Sequence, residues 1–411
     1  MDEPERMLDA LTGILGEEHL VSFGDLPDLV ARYAGQAGLD DTRLYLVDLR
    51  QQTLREVTGR GPDGAEGGDT FPVEGTLPGR VWASNQAQRG TEGERERWWV
   101  PVLDGTERLG VLRADVPPGT GSERVGVMAS LVGLLVVSKR PSSDAAARLV
   151  RTETMNVAAE MQWNLMPPRS FANRDVVIAA AMEPAYEIGG DAFDYAVAGD
   201  EIHLAVFDAM GHDSRAGLVA NLAVAAFRNQ RRQGAGLVDT GERVERVLLD
   251  HFGHTTYITA VLAHLDTRSG MFSWINRGHH LPVLIRGARW TTSLRCPPAH
   301  PLGTELGMPA RLCQEQLEPG DRVLLYTDGV IEARDARGRE FGLNQFTDFV
   351  IRHHADGLPV PETLRRLMRA VLDHHSGRLD DDATVLCMEW HGPSRNTEMR
   401  PTAPTTGTHD R

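Results

Sequence analysis

The chain has 411 residues, with 43 Lys and Arg against 58 Asp and Glu, a formal net charge of −15. With 41% apolar and 25% charged residues it reads as a globular protein of about two or three domains. The acidity argues against nucleic acid as a partner, since phosphate neutralisation needs a basic surface, and with Lys139 as the only lysine a P-loop or a Schiff base is excluded.

Residues 1–140 read as one α+β unit. A helical pattern over 26–39 is followed by an alternating strand at 43–49 and a Gly/Asp-rich loop to Gly68. FPVEGTLPGRVWAS leads into a short helix near 80–84. Two β-like stretches, 97–104 and 108–115, are joined at Gly105-Thr106 as a hairpin. The apolar run 125–137 is shorter than the roughly 18 residues of a bilayer span, so it is expected to be a buried helix, without membrane association. The N-terminus, MDEPERMLDALTG, has no apolar signal core. Cys296, Cys313 and Cys387 are widely spaced and are expected to be reduced thiols of a cytoplasmic protein, forming neither disulfides nor a metal site.

Residues 141–168 are expected to form a linker helix, capped at 142–144 and ended by Pro167-Pro168. Val150, Thr154, Val157 and Met161 fall at heptad-like spacing and could pair with a second copy, giving a homodimer. Beyond Val176 the texture becomes β-rich. The clearest strands are 176–181, 202–207, 258–265, 272–275, 322–326 and 384–389, with helices at 218–232 and 361–375. The Pro/Thr-rich tail, 392–411, is expected to be disordered.

Four acidic blocks stand at strand ends: GGDAFD (189–194), VFDAMGHD (206–213), LYTDGVIEARD (325–335) and LDDDATVL (379–386). A lone Asp in a turn is usually a turn former. Carboxylates projecting from several strand ends can instead share a pocket, and their mutual repulsion then calls for cations. An all-oxygen set favours two Mg²⁺ or Mn²⁺ ions, which can activate a water and clamp a phosphoryl group.

In this order the blocks resemble the metal-dependent protein phosphatases of the PPM (type 2C) superfamily, in the bacterial branch of SpoIIE and RsbU. AAEMQWNLMPPR (158–169), INRGHHLPVLI (275–285), Pro301-Leu302-Gly303 and LEPGDRVLLYTDGVIEA add to the likeness, which covers about 155–390. The resemblance implies an α/β/β/α sandwich phosphatase domain over 169–391. It implies that Asp208 bridges both metals, that the Ala209 carbonyl helps hold one of them, that Asp191 ligates one ion, and that Asp328 and Asp381 bind the other or support the bridge. Asp194 and Asp382 would support the site or bind through water, and His212 would orient water, protonate the leaving oxygen or serve a purely structural role. The activated water would attack phosphoserine or phosphothreonine, on a substrate expected to be a phosphorylated anti-sigma-factor antagonist. Residues 1–140 resemble a GAF domain, implying a sensor for an unidentified small-molecule or protein signal. Ala192 and Asp213 depart from the family pattern, in loops that bear on substrate preference more than on metal binding.

Two other readings have less support. GGDAF also resembles the diguanylate cyclase signature, but its acidic partners lie far downstream and Ala192 replaces an acidic position. His251 and His254, and the pairs 279–280, 353–354 and 374–375, suggest zinc, but no Glu or Cys completes a set, and Asn276 and His279 are expected to brace the site. A catalytically degenerate regulator that acts by protein binding is the remaining alternative.

Overall fold

Residues 3–90, 96–183, 186–187, 189–211, 213–375, 377, 379 and 381–393 are described in a computed structural model. Its N-terminal part runs α1 (Glu3–Glu17), α2 (Leu26–Gln36), β1 (Asp40–Val47), β2 (Thr53–Glu56), β3 (Thr70–Pro72), α3 (Leu77–Ser84), β4 (Gln88–Gly90), β5 (Glu96–Asp104), β6 (Glu107–Val116) and α4 (Glu123–Lys139). The strands form one antiparallel sheet in the order β3-β2-β1-β6-β5-β4. Strand alternation sends Leu44, Leu46, Leu112 and Ala114 toward α1, α2 and α4, and Tyr45, Val47 and Val111 toward Trp82 of α3. The stretch Glu123–Ser142 is longer than the apolar run suggests and meets the length and composition of a membrane span. Here Met128, Val132, Leu135 and Val136 are buried against the sheet.

The expected single linker helix is broken in two. α5 (Asp144–Val150) and α6 (Val157–Leu165) are separated by extended and turn residues at 151–156. Ser143 caps the first and Asn156 the second, each accepting from a backbone N–H three residues on. Between them the Thr152 N–H donates to the Tyr186 hydroxyl, a tertiary contact invisible to periodicity. The continuous stripe through Val150, Thr154, Val157 and Met161 is therefore not formed, and with it goes the seam on which pairing with a second copy was expected.

The rest of the chain continues β7 (Ser170–Ala172), β8 (Val176–Glu183), β9 (Asp191–Ala198), β10 (Glu201–Ala209), α7 (Ser214–Arg232), α8 (Leu237–Phe252), β11 (Ile258–Asp266), β12 (Met271–Arg277), β13 (Val283–Arg286), β14 (Trp290–Ser293), β15 (Cys313–Gln316), β16 (Arg322–Tyr326), α9 (Asp328–Ile331), α10 (Gly342–Ala355), α11 (Val360–His374) and β17 (Ala383–Trp390). One sheet runs β15-β12-β11-β10-β9 and the other β14-β13-β16-β17-β8-β7. Their facing residues, among them Phe193, Leu204, Val261, Ile178, Leu325 and Leu386, make the inter-sheet core. The opposite faces are covered by α7 and α8 on one side and by α10 and α11 on the other. This is the expected α/β/β/α sandwich. On α11, Leu364, Leu367, Met368 and Val371 fall at helical spacing and are all buried, so Leu367→Ala should cost about 2–5 kcal/mol.

Cys296 and Cys313 form a disulfide across 17 residues, against the expectation of three reduced thiols, and Cys387 is free and buried. Their sequence separation hid the pairing: the segment between them folds back so that Cys313 meets Trp274 on β12 while Cys296 joins the inter-sheet core. Of the tail expected to be disordered, all but 392–393 lies outside the described residues.

Candidate active site

Strand alternation builds the site. On β9 and β10 the residues facing the other sheet are Phe193 and Tyr195, and Ile202, Leu204 and Val206. Continuing each series by two places Asp191 and Asp208 on the same inner face at one end of the sandwich. The two are directly opposite in the antiparallel register. From the facing sheet, Thr327 follows β16, and Asp382 and Thr384 flank the start of β17, at the same end.

The Asp382 carboxylate organises the glycine loop. One of its oxygens accepts from the Gly189 and Gly190 N–H groups, each at 2.7 Å, and from Asp191 N–H at 3.2 Å. Gly190 is required here, because a Cβ would sit 2.4 Å from the Ala209 carbonyl oxygen. Gly329 is required likewise, since its Cβ would meet the Asp382 carbonyl at 2.0 Å. Asp191 is buried and accepts from the Thr327 hydroxyl at 2.6 Å, while that hydroxyl accepts from the Thr384 N–H at 2.9 Å.

Electrostatics shows how closely these groups crowd. Burial, then Asp382 and Asp208, pushes the Asp191 carboxyl well above its ordinary range. Burial, then Asp328 and Asp381, lifts Asp208 to about 7. Asp328 and Asp381 line one cleft with Glu332, Arg334 and His375. The donor atoms of His280, Asp328 and Glu332 lie within 4.8 Å of one another. Among the described residues no three of the Asp191, Asp208, Asp328 and Asp381 carboxylates close to that distance.

Asn276 and His279 brace the site as expected. The Asn276 side chain exchanges two 2.8 Å hydrogen bonds with the His279 backbone. His279 Nε2 lies 3.0 Å from the Tyr326 carbonyl and must carry the proton to donate, so Nδ1 accepts from the Thr259 hydroxyl at 2.6 Å. Burial holds this imidazole neutral, its pKa pushed down to about 3. Thr259 in turn lies opposite Asp208 in the β10–β11 register.

Asp194 does not belong to this site. It lies one position out of phase with Asp191, on the face covered by α7, where it pairs with Arg228 at 2.7 Å and Arg231 at 3.2 Å. Asp213 caps α7, accepting from Arg215 and Ala216 N–H groups. His212 lies outside the described residues. His251 bonds its own helix through the Val247 carbonyl, and His353 stacks on Phe349, so neither serves the site. Thr259, Thr327, Thr384, His280 and Glu332 are partners the sequence reading missed. The only sequence signal was adjacency, Thr327 to Asp328 and His280 to His279.

The oxygen donors of Asp191, Asp208, Asp328, Asp381 and the Ala209 carbonyl are of the kind that suits hard divalent cations. Residues 198–391 match the family described as Stage II sporulation protein E (SpoIIE). The phosphoserine phosphatase RsbU of Bacillus subtilis (strain 168) is 21% identical over 235 residues, covering 57% of this chain and 69% of its own length. Protein IcfG of Synechocystis sp. is 20% identical over 332 residues, 70% of this chain but 51% of its own. Among solved structures, the RsbU and RsbW domains of a Mycobacterium tuberculosis protein align with a TM-score of 0.48 at 30% identity, over 54% of this chain and 62% of that one. The likeness to the SpoIIE family thus lies in the C-terminal part of the chain, over residues 198–391.

Proposed function

We propose that the chain is a divalent-metal-dependent phosphatase that removes phosphate from phosphoserine or phosphothreonine in a protein, acting in the cytoplasm. The observation that carries this reading is the placing of Asp208 opposite Asp191 on the inner face, near Asp328 and Asp381; burial first, and then those two charges, lift its carboxyl, and a cation would stabilise the ionised group. Oxygen donors fit Mn²⁺ or Mg²⁺ better than zinc. Asp191, Asp208, Asp328, Asp381 and the Ala209 carbonyl are the groups that would hold the ions. Bound there, such a pair supplies an activated water and draws charge from the transferring phosphoryl group. The protein's own part is positioning. Asp382 fixes the glycine loop, Thr327 holds the Asp191 carboxylate, and neutral His279 holds the Thr259 hydroxyl beside Asp208.

The resemblance to RsbU supports a phosphorylated anti-sigma-factor antagonist as the substrate, and the resemblance of residues 1–140 to a GAF domain supports regulation by a signal bound there. Phosphate release from the phosphorylated antagonist and from a phosphoserine peptide, with Mn²⁺, tests both levels. Asp208→Asn should slow both by about a hundredfold or more. Unchanged rates in this variant would overturn the phosphatase assignment. Hydrolysis of the peptide with none of the antagonist would overturn the substrate alone.

A further inference from the structure

At the other end of β10, away from the acidic centre, three metal-binding side chains converge. His203 lies directly opposite His264 in the β10–β11 register, and Glu201 precedes His203 by two, on the same face. The imidazole centroids are 5.0 Å apart, and one donor atom from each of Glu201, His203 and His264 lies within 4.8 Å of the others. Neither ring makes a hydrogen bond among the described residues. The arrangement shares nothing with the acidic centre. His203 sits five residues from Asp208, about 16 Å along the strand, and alternation turns it to the opposite face, with Ala205 and Phe207.

We propose that Glu201, His203 and His264 form a second metal site that takes a borderline cation of the zinc class. Two imidazoles and a carboxylate select Zn²⁺, Co²⁺ or Ni²⁺ over Mg²⁺ and Mn²⁺, so one chain would sort two kinds of metal into two sites by donor type. The His203 ring is already suited to ligation. Burial, the neighbouring His264 and Arg231 hold His203 uncharged, with its pKa near 4. Arg231 is the nearby charge that opposes a cation, and its ion pair with Asp194 offsets that charge. Strands β10 and β11 are joined through α7 and α8, so an ion shared by His203 and His264 would pin together two strands far apart in sequence.

The test uses the full chain saturated with Mg²⁺, so that the acidic centre is already filled, and titrated with Co²⁺ and with Zn²⁺. Wild type should bind about one equivalent of Co²⁺ with the intense visible bands of low-coordinate cobalt, and Zn²⁺ should displace it. His264→Gln and His203→Ala should each weaken Co²⁺ binding about tenfold or more and abolish the zinc-dependent rise in melting temperature. Glu201→Gln, a change at an exposed position, gives the same readout should a histidine variant fold poorly. Mn²⁺-dependent hydrolysis should be unchanged in all three. Cobalt uptake and spectra identical in wild type, His264→Gln and Glu201→Gln would overturn the proposal.

Discussion

Arg108 and Glu362, 254 residues apart, form an ion pair at 2.9 Å with both side chains almost completely buried. It joins the start of β6, an interior strand of the N-terminal sheet, to the first turn of α11, the helix that leads toward Asp381 and β17. Glu362 also accepts from Arg365 at 2.8 Å and from Arg366 at 2.8 Å. The Arg108 guanidinium lies 4.0 Å from the centroid of the Trp82 ring, whose N–H bonds the Arg108 carbonyl. Arg365 reaches back to Glu74 at 2.6 Å. The two parts of the chain are thus held together by desolvated charge.

Removing one partner leaves the others buried and uncompensated. Glu362→Ala should destabilise the protein by about 3–5 kcal/mol in urea denaturation. The double replacement of Arg108 and Glu362 by leucine should cost less than the sum of the single replacements, since neither charge is then left alone.

The same pair sets an acid limit. Burial alone would raise the Glu362 pKa, but the hydrogen bonds and charges of Arg365 and Arg108 overrule it and hold the carboxyl at about 2. A folded-state value below the ordinary 4.5 means that Glu362 contributes its stability above about pH 4.5 and loses it as pH falls toward 2. Urea midpoints measured from pH 6 to 2.5 should fall on that limb in wild type, and the limb should flatten in Glu362→Gln.

Asp194 and Asp208 separate structure from chemistry within a few residues. Asp194→Ala should strand Arg228 and Arg231 and cost about 3–5 kcal/mol, while the folded fraction keeps its turnover. Turnover that falls in proportion to a loss of Mn²⁺ affinity would contradict its placement on the α7 face.

Thr327 reaches the acidic centre through Asp191, to which its hydroxyl donates. Thr327→Val removes the 2.6 Å hydrogen bond and should weaken Mn²⁺ affinity about tenfold to a hundredfold, with Thr327→Ser restoring it. Affinity unchanged in the valine variant would show the contact to be incidental to metal binding.

Much of this was legible in the chain. The strands 176–181, 202–207 and 384–389 show as apolar runs because both sheet faces are covered. The acidic blocks show because carboxylates at strand ends have no structural reason to accumulate. Helix α8 was missed although Val244, Val247 and Leu248 fall at helical spacing, beside the buried Thr240, Gly241 and Glu245. The break at 151–156, the Cys296–Cys313 pairing, the Arg108–Glu362 pair and the facing of His203 on His264 all depend on register or long-range contact. One chain read alone contains no such information. Asp194 was misplaced for a simpler reason: two acidic residues three apart in a strand point to opposite faces.

The most direct test of the account is thermal melting of the chelator-stripped protein with and without Mn²⁺, in wild type and Asp208→Asn. Buried carboxylates that repel one another should make the stripped wild type melt lower, and Mn²⁺ should raise its melting temperature by several degrees. Asp208→Asn should lose most of that Mn²⁺ response. A wild-type melting temperature indifferent to Mn²⁺ would contradict the claim that Asp191, Asp208, Asp328 and Asp381 jointly hold divalent cations.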